Sequence, residues 1–271
     1  MSYFFMEKPK AKENYDFELE VLYSTLRRTH RDFINKMYPE FGLQKPPKEV
    51  NIICNEEKSS FFDTTSSIRN NRDHINYLWK HKKLDTLDCF ITIECQDFKC
   101  AANARKEFNP SFCSRGNMKM RLFPKEWVDY MHKVQSDCIH ESSHYLHFLS
   151  YPESFSEDEI LSKRFIEFVA DLGSLTYIHK RNQLLLMLPN EVKTESYIME
   201  MFLAVYGSFK CDSTLLRKIT NMDLESARAL VDGYIRKYHP DPNFIENKQK
   251  ELQTKLEDTT YDGELPTGPF Y

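Results

Sequence analysis

Glycine is scarce in this chain, with only seven glycines among 271 residues. Neither GxGxxG nor GxxxxGKS/T occurs, which disfavours nucleotide-binding folds built on glycine-rich phosphate loops. The longest apolar stretch, residues 184–188, is far shorter than the roughly 20 residues of a membrane-spanning helix, so we expect no membrane partner. Residues 1–8 lack the basic start and apolar core of a secretory signal, and we expect a cytoplasmic protein.

Positive charge is not in excess either. The chain has 37 lysines and arginines against 41 aspartates and glutamates, for a net charge of −4. It has no extended basic stripe, which argues against a nucleic-acid partner and against a protease that acts at DNA. Residues 241–271 carry seven acids and three lysines, which accounts for the whole net charge. We therefore expect one domain over residues 1–240, followed by an acidic, flexible tail.

Cysteine pairs with the spacing of a zinc knuckle are also missing. The seven cysteines are an odd number, which favours reduced thiols in a cytosolic setting. The run of Cys89, Cys95, Cys100 and Cys113 has no CxxC pair, so buried free thiols are a better interpretation than a cysteine zinc cluster.

The hydrophobic pattern predicts an α+β fold. An N-terminal helix is expected because Leu22, Leu26 and Phe33 belong to an apolar stripe at helical spacing. The predicted helices cover residues 14–37, 125–149, 156–179, 192–206 and 223–238. The predicted strands cover residues 49–54, 87–95 and 117–123, within a sheet region over 49–123, and residues 56–75 and most of 96–116 are predicted to be loops.

Residues 140–144 form an HExxH pattern inside the predicted helix 125–149. Positions four apart lie on one helix face, so His140 and His144 can both bind one Zn²⁺ at about 2.0–2.1 Å. Glu141 is placed to act on a water bound to the ion, whose pKa the metal lowers towards about 7, and to accept its proton. The pattern is therefore typical of metal-assisted hydrolysis. The alternative is a helix with surface histidines.

A catalytic zinc site needs a third protein ligand, because the fourth position is left to water. The predicted helix 156–179 is apolar on nearly all sides around Glu167 and Asp171, which lie one turn apart. Buried carboxylates need a cation or hydrogen-bond donors. Glu167 as the third ligand, and Asp171 as the acceptor for the Nδ1–H of a ligand histidine, meet that need. Small residues at Ala170 and Gly173 would let the two helices pack closely. The alternative is structural ion pairing with Lys163, Arg164 or Lys180.

Two other sources of the third ligand are weaker. The extended pattern HExxHxxGxxH requires glycine at position 147 and histidine at position 150, where the chain has His147 and Ser150. His147 itself lies one turn beyond His144, but ligands from three successive turns of a straight helix surround an ion poorly. We expect His147 to line the site or support a ligand.

HExxH followed on the next helix by Glu-x-x-Ala-Asp resembles the gluzincin branch of zinc metallopeptidases, the group of thermolysin and neprilysin. The resemblance covers residues 117–180 only. It implies a zincin-like fold, in which a small, mostly antiparallel sheet packs on the HExxH helix and substrate lies along an edge strand above the metal. The strand at 117–123 is the candidate edge by position. The implied zinc ligands are His140, His144 and Glu167, with Glu141 as general base and acid and Asp171 as the supporting carboxylate.

We therefore expect a zinc-dependent peptidase that uses one Zn²⁺ to hydrolyse a peptide or protein substrate. The alternative is a non-catalytic zinc-binding module that keeps the zincin fold for protein recognition, which a missing oxyanion donor would favour. The candidates for that donor stay open at this point: Tyr177, His179, Tyr206, Tyr238 and His239.

Overall fold

A computed structural model describes residues 15–56, 59–65, 72–107, 112–115, 118–121, 123–156, 159–180 and 213–238, together with residues 68, 243 and 247. In these ranges the chain is a mixed α+β protein and mostly helical, as the sequence predicts. The predicted helix 192–206 lies outside the described residues, as does the predicted tail apart from residues 243 and 247.

Eight helices and five strands are described in these ranges. The helices are α1 (Asp16–Met37), α2 (Arg72–Lys80), α3 (Phe98–Glu107), α4 (Lys125–Ser150), α5 (Pro152–Ser156), α6 (Glu159–Lys180), α7 (Ser213–Thr220) and α8 (Leu224–Tyr238), and the 3₁₀ turns are Tyr38–Phe41 and Leu84–Thr86. The strands are β1 (Asn51–Asn55), β2 (Phe61–Thr64), β3 (Cys89–Glu94), β4 (Phe112–Arg115) and β5 (Met118–Arg121). None of the described helices combines the length and the apolar character needed to cross a membrane.

The main sheet has three strands in the order β1–β3–β2, and it is mixed. Strand β1 pairs with β3 in parallel, whereas β2 pairs with β3 in an antiparallel direction. The prediction of a mostly antiparallel sheet is wrong for this sheet, because the chain passes through β2 and α2 between two strands that run the same way. Ile91 and Ile93 of the central strand are fully buried, since β3 has a neighbour on each side and α4 packs against it.

The predicted strand at 117–123 does not form an edge of this sheet. Strand β5 pairs with β4 in a separate two-stranded antiparallel sheet. Its hairpin register places Met118 opposite Arg115, so this segment finds its hydrogen-bond partner next to it in the sequence. Strand β5 is therefore not an edge of the sheet that packs on the HExxH helix, the place expected for the substrate strand.

Two segments predicted as loops contain regular structure. The segment 56–75 contains β2 and the start of α2, and the segment 96–116 contains α3 and β4. Helix α3 buries Phe98, Ala101 and Ala102, and two alanines give an apolar face too small to stand out in the sequence. Helix α7 was not predicted, and α6 begins at Glu159 and not at Ser156, which ends α5.

Helix α4 is the centre of the fold. It packs on α1, α3, α6 and the strands β2 and β3. Val134, Cys138 and Phe148 on its apolar stripe are fully buried, and complete burial of one such large apolar side chain contributes about 1.5–3 kcal/mol. Helix α6 is buried, as its apolar residues on nearly all sides predict. Phe168, Val169 and Leu172 have no exposed surface. The two helices that carry the candidate site are therefore core elements.

Gly173 allows α4 and α6 to approach each other closely. A methyl group added at Gly173 would overlap Ser143 Oγ on α4 and would lie 2.8 Å from Phe41 Cζ, inside the 3.5–4.0 Å of ordinary carbon contacts. Because glycine has no side chain, the α6 backbone can lie directly against Ser143. The expectation that a small residue here permits close packing is confirmed.

Candidate metal centre

Three side chains from α4 and α6 place one donor atom each in a tight cluster. His140 Nε2 lies 3.0 Å from His144 Nε2 and 3.2 Å from Glu167 Oε2. The distance from His144 Nε2 to Glu167 Oε2 is 3.6 Å. Donors at about 2.0–2.1 Å in tetrahedral directions around zinc are about 3.3 Å apart. The three atoms therefore have the mutual spacing that one zinc ion requires.

Helical spacing explains how the two histidines meet. They lie one turn apart on α4, and their rings are nearly perpendicular, with centroids 4.6 Å apart. Glu141 also offers an oxygen within 4.8 Å of the histidine nitrogens, so His140, Glu141 and His144 form a group able to hold a metal ion. Glu167 Oε2 lies 3.2 and 3.6 Å from the two Nε2 atoms, which is ligand spacing, and we regard it as the third donor on that ground.

Asp171 supports the first histidine from behind. Its Oδ1 lies 2.9 Å from His140 Nδ1, and the aspartate is 1% exposed. The negative charge so close to Nδ1 favours a proton on that nitrogen, which leaves the Nε2 lone pair facing the cluster, the tautomer a metal ligand needs. His144 differs, because its buried Nδ1 has no hydrogen-bond partner among the described residues.

The two carboxylates make the cluster attractive to a cation. Burial alone would lower the pKa of His140, but hydrogen bonds and charges from Asp171 and Glu167 outweigh it and raise that pKa well above the ordinary value. Burial would likewise raise the pKa of Glu167, but the His144 charge and the hydrogen bonds from both histidines hold it well below the usual range. A positive charge at this point, whether a proton or a metal ion, is therefore favourable.

Glu141 is buried beside the cluster, but unlike Glu167 it forms no ion pair with the histidines among the described contacts. It is 5% exposed, and its Oε2 has no hydrogen-bond partner among the described residues. Burial raises the pKa of Glu141 to about 7, against the opposing charges of His144 and His140. A carboxyl group with that pKa can both accept and donate a proton near neutral pH.

His147 lies in an aromatic enclosure next to the cluster. The Phe155 and Phe165 ring centroids lie 5.2 and 5.4 Å from its own, and its Nε2 is 3.4 Å from Ser154 Oγ. Burial lowers the pKa of His147 well below the ordinary value, which keeps the ring neutral. Its packing agrees with the expectation that it lines the site and is not a ligand.

Asp137 is a neighbour of the site that the sequence reasoning missed. Its Oδ2 accepts a hydrogen bond of 3.2 Å from Ser60 Oγ, and the same oxygen of Ser60 accepts one from the backbone N–H of Glu94. Burial raises the pKa of Asp137, while charges that include His140 oppose the rise. Asp137 precedes His140 by one helical turn, so helix spacing could have found it.

His30 supports α4 from α1 and was also missed. The backbone N–H of Val50 donates to its Nε2 at 3.1 Å, so the proton is on Nδ1, which lies 2.8 Å from Ser142 Oγ. Ser142 Oγ in turn donates to Cys138 O at 2.5 Å. The partners are far apart in sequence, so no local pattern predicts this link to the turn that carries Glu141.

The structure describes some of the residues that the sequence offered as ion-pair partners of the carboxylates or as oxyanion donors. Lys180 pairs with Glu40 and therefore does not neutralise Glu167 or Asp171. Tyr177 is fully buried, and its hydroxyl donates to Asp32 Oδ2 at 2.6 Å. Tyr238 packs against Tyr234 on α8, with ring centroids 4.7 Å apart. The side chains of Lys163, Arg164 and His179, and residues Tyr206 and His239, lie outside what the structure describes.

Comparison with known proteins gives no relative. No protein-family model matches the chain, and no curated protein and no solved structure matches it.

Proposed function

We propose that this chain is a zinc-dependent metallopeptidase of gluzincin type, which hydrolyses peptide bonds in a peptide or protein substrate. The observation that carries the proposal is the cluster of His140 Nε2, His144 Nε2 and Glu167 Oε2, with mutual distances of 3.0–3.6 Å. A chance ion pair needs only one short distance, whereas a metal site needs all three.

The donor set suits zinc. Two imidazoles and one carboxylate on helices are a ligand set that zinc hydrolases use, with the fourth position open. The Asp171 carboxylate, 2.9 Å from His140 Nδ1, lies where the outer partner that orients a ligand histidine is needed. A bound Zn²⁺ would polarise a substrate carbonyl and lower the pKa of a water molecule beside it.

Glu141 is the residue we assign to proton transfer. Its Oε2 has no hydrogen-bond partner among the described residues, so its lone pairs are not committed to another group. It would accept a proton from that water as a peptide carbonyl is attacked, and would then donate the proton to the leaving amine. Burial, which raises the pKa of Glu141 to about 7 in the metal-free protein, opposes the lowering effect of a nearby cation and favours a carboxyl group that can exchange protons.

Strand β2 is the best candidate for the substrate-binding edge. It lies at one edge of the main sheet and packs on α4. Ser60, which lies just before β2, contacts Asp137 one turn before His140, so this end of the strand lies near the cluster. An extended peptide could add to the sheet there through backbone hydrogen bonds.

The decisive experiment changes Glu141 to Gln and measures zinc content and hydrolysis of a diverse peptide mixture. We expect Glu141→Gln to keep its zinc and to lose about 10²–10⁴-fold in activity, the size of a general base contribution. Glu126→Gln, at an exposed position in the first turn of the same helix, is the matched control and should retain full activity. Hydrolysis unaffected by Glu141→Gln would sink the proposal. Glu167→Ala tests the ligand set, because unchanged zinc affinity would refute Glu167 as a donor.

A second candidate is a non-catalytic zinc-binding module of the same fold. The observation that favours it is that the Tyr177 hydroxyl, one expected oxyanion donor, is hydrogen bonded to Asp32 away from the cluster. On that alternative, the wild-type protein and Glu141→Gln bind zinc equally and neither hydrolyses any peptide of the mixture.

A further inference from the structure

The 3₁₀ turn Tyr38–Phe41 holds a buried carboxylate between two cations. Glu40 is 1% exposed. Its carboxylate accepts hydrogen bonds from Lys180 Nζ and from Arg217, whose Nε and Nη2 lie 2.5 and 2.8 Å from the two oxygens. Burial would raise the pKa of Glu40, but the hydrogen bonds and charges of Arg217 and Lys180 outweigh it and lower that pKa. The side chain is therefore ionised at neutral pH and tied to both cations.

The two cations belong to different helices. Lys180 is the last residue of α6, whereas Arg217 lies on α7. Only the first of these helices carries Glu167 and Asp171. The contact with Lys180 therefore acts directly on the helix of the candidate site, whereas the contact with Arg217 reaches that helix only through the packing of α7 on α6.

The same turn also contacts α4. Ser150 Oγ, at the end of α4, donates to Phe41 O at 2.6 Å. The Phe41 ring lies against Gly173 in the middle of α6. The turn therefore touches the ends of both site helices, and it fixes the end of α6 relative to the end of α4.

The position of α6 along its own axis determines how far Glu167 lies from the two histidines. Glu167 lies about 20 Å from Lys180 along the helix, at 1.5 Å per residue, and a helix transmits a displacement of its end with little compression. Functional sites need their groups placed to within about 0.5 Å. A shift of α6 by about 1 Å, twice that tolerance, would upset the distances of 3.2 and 3.6 Å from Glu167 to the histidines.

We infer that Glu40 is a positioning residue for the metal centre: by holding Lys180 it sets the axial position of α6, and with it the distance of Glu167 from His140 and His144. The inference rests on the proposed function, since it concerns the proposed zinc ligands. Glu40 acts through the helix and touches neither metal nor substrate.

The experiment compares two variants that each remove one cation from the same carboxylate. Lys180→Met and Arg217→Met are purified as full chains without metal, and their folding is checked by circular dichroism. Zinc affinity is measured by competition with a chromophoric chelator, and the coordination geometry by the visible absorption of the Co²⁺-loaded protein. We expect Lys180→Met to bind zinc severalfold more weakly, less than the roughly tenfold minimum for residues hydrogen bonded to a ligand, and to change the Co²⁺ spectrum. Arg217→Met should leave both nearly unchanged, and Lys180→Arg should restore the wild-type values.

A merely structural role makes a different prediction. Equal loss of zinc affinity in Lys180→Met and Arg217→Met would show a general effect on stability and would overturn the inference. Wild-type affinity and spectrum in Lys180→Met would overturn it as well, with the proposed function intact. If the wild-type protein binds no zinc, the proposed function and the inference both fail.

A second arm covers poor folding of the methionine variant. Glu40→Asp keeps the charge and shortens the side chain by one methylene group. It should shift the Co²⁺ spectrum while the protein stays folded, and an unchanged spectrum would count against the positioning role.

Discussion

A single methyl group at Gly173 tests whether close packing of α6 on α4 positions the residues of the candidate metal centre. In Gly173→Ala the new Cβ would overlap Ser143 Oγ and lie 2.8 Å from Phe41 Cζ. Relief of these contacts requires α6 to move outward or Ser143 and Phe41 to change rotamer. Overpacking of this kind costs about 1–3 kcal/mol, whereas alanine in place of glycine inside a helix gains about 0.5–1 kcal/mol. We expect a net loss of about 1–2 kcal/mol in the free energy of unfolding.

The chain offers a matched control for this change. Gly233 lies within α8, and a methyl group there would meet nothing within 4 Å. Gly233→Ala should therefore show the helix gain alone and stabilise the protein by about 0.5–1 kcal/mol. Both free energies come from urea unfolding of metal-free protein, and zinc affinity is measured on the same samples. Only Gly173→Ala should weaken zinc binding, because only that change displaces Glu167.

Removal of the opposing atom should reverse part of the effect. Ser143 Oγ is buried and has no hydrogen-bond partner among the described residues, so Ser143→Ala alone should change stability little. Combined with Gly173→Ala, it removes the overlap on α4 and leaves the contact with Phe41. The double variant should regain about 1 kcal/mol and part of the zinc affinity. Stabilisation by Gly173→Ala equal to that by Gly233→Ala would refute the close-packing argument.

Three further predictions concern the surroundings of the site. Burial lowers the pKa of His30 to about 4, so the unfolded chain binds the extra proton and stability falls as pH drops from about 6.5 towards 4. Between pH 7 and 5 the wild type should lose about 2 kcal/mol more than His30→Gln by urea unfolding, and parallel pH curves would contradict this. Asp171→Asn should weaken zinc binding about 10–100-fold in a chelator competition, because the His140 ring loses its orienting carboxylate, and unchanged affinity would disprove the supporting role. Asp137→Asn should weaken zinc binding severalfold, about 1 kcal/mol, because a negative charge near His140 is lost. Ser60→Ala keeps that charge and should have little effect. Equal losses of zinc affinity in the two variants would argue against a charge effect.

Long local periodicity made part of the fold predictable. Helices α1, α4 and α8 begin and end within two residues of the predicted bounds wherever those residues are described, because their apolar stripes recur over several turns. Strand β2 and helix α3 were missed because the apolar face of each is only two or three residues long. The direction of β1 against β3 depends on how the chain crosses over between them, which no strand pattern records.

The grouping of site residues was predictable for a different reason. Two carboxylates in an apolar helix need a cation, and an HExxH helix supplies histidines on one face. That physical need predicts Glu167 and Asp171 beside His140 from the sequence, and the distances of 3.2 and 2.9 Å agree with it. No comparable need marks Glu40 in the sequence, because Lys180 and Arg217 lie far from it along the chain.

The position of α6 is therefore held by contacts that do not involve the donor atoms. Gly173 packs it against Ser143 near its middle, and Glu40 holds Lys180 at its end. Metal sites assembled only by their ligands must order those ligands when the ion binds, which weakens affinity. Here the packing of α6 and the Glu40 contact hold the helix that carries Glu167 without using the donor atoms, an arrangement that favours a preorganised site. On the proposed function, the determinants of metal affinity extend to the far end of α6, to residues that an HExxH motif does not include.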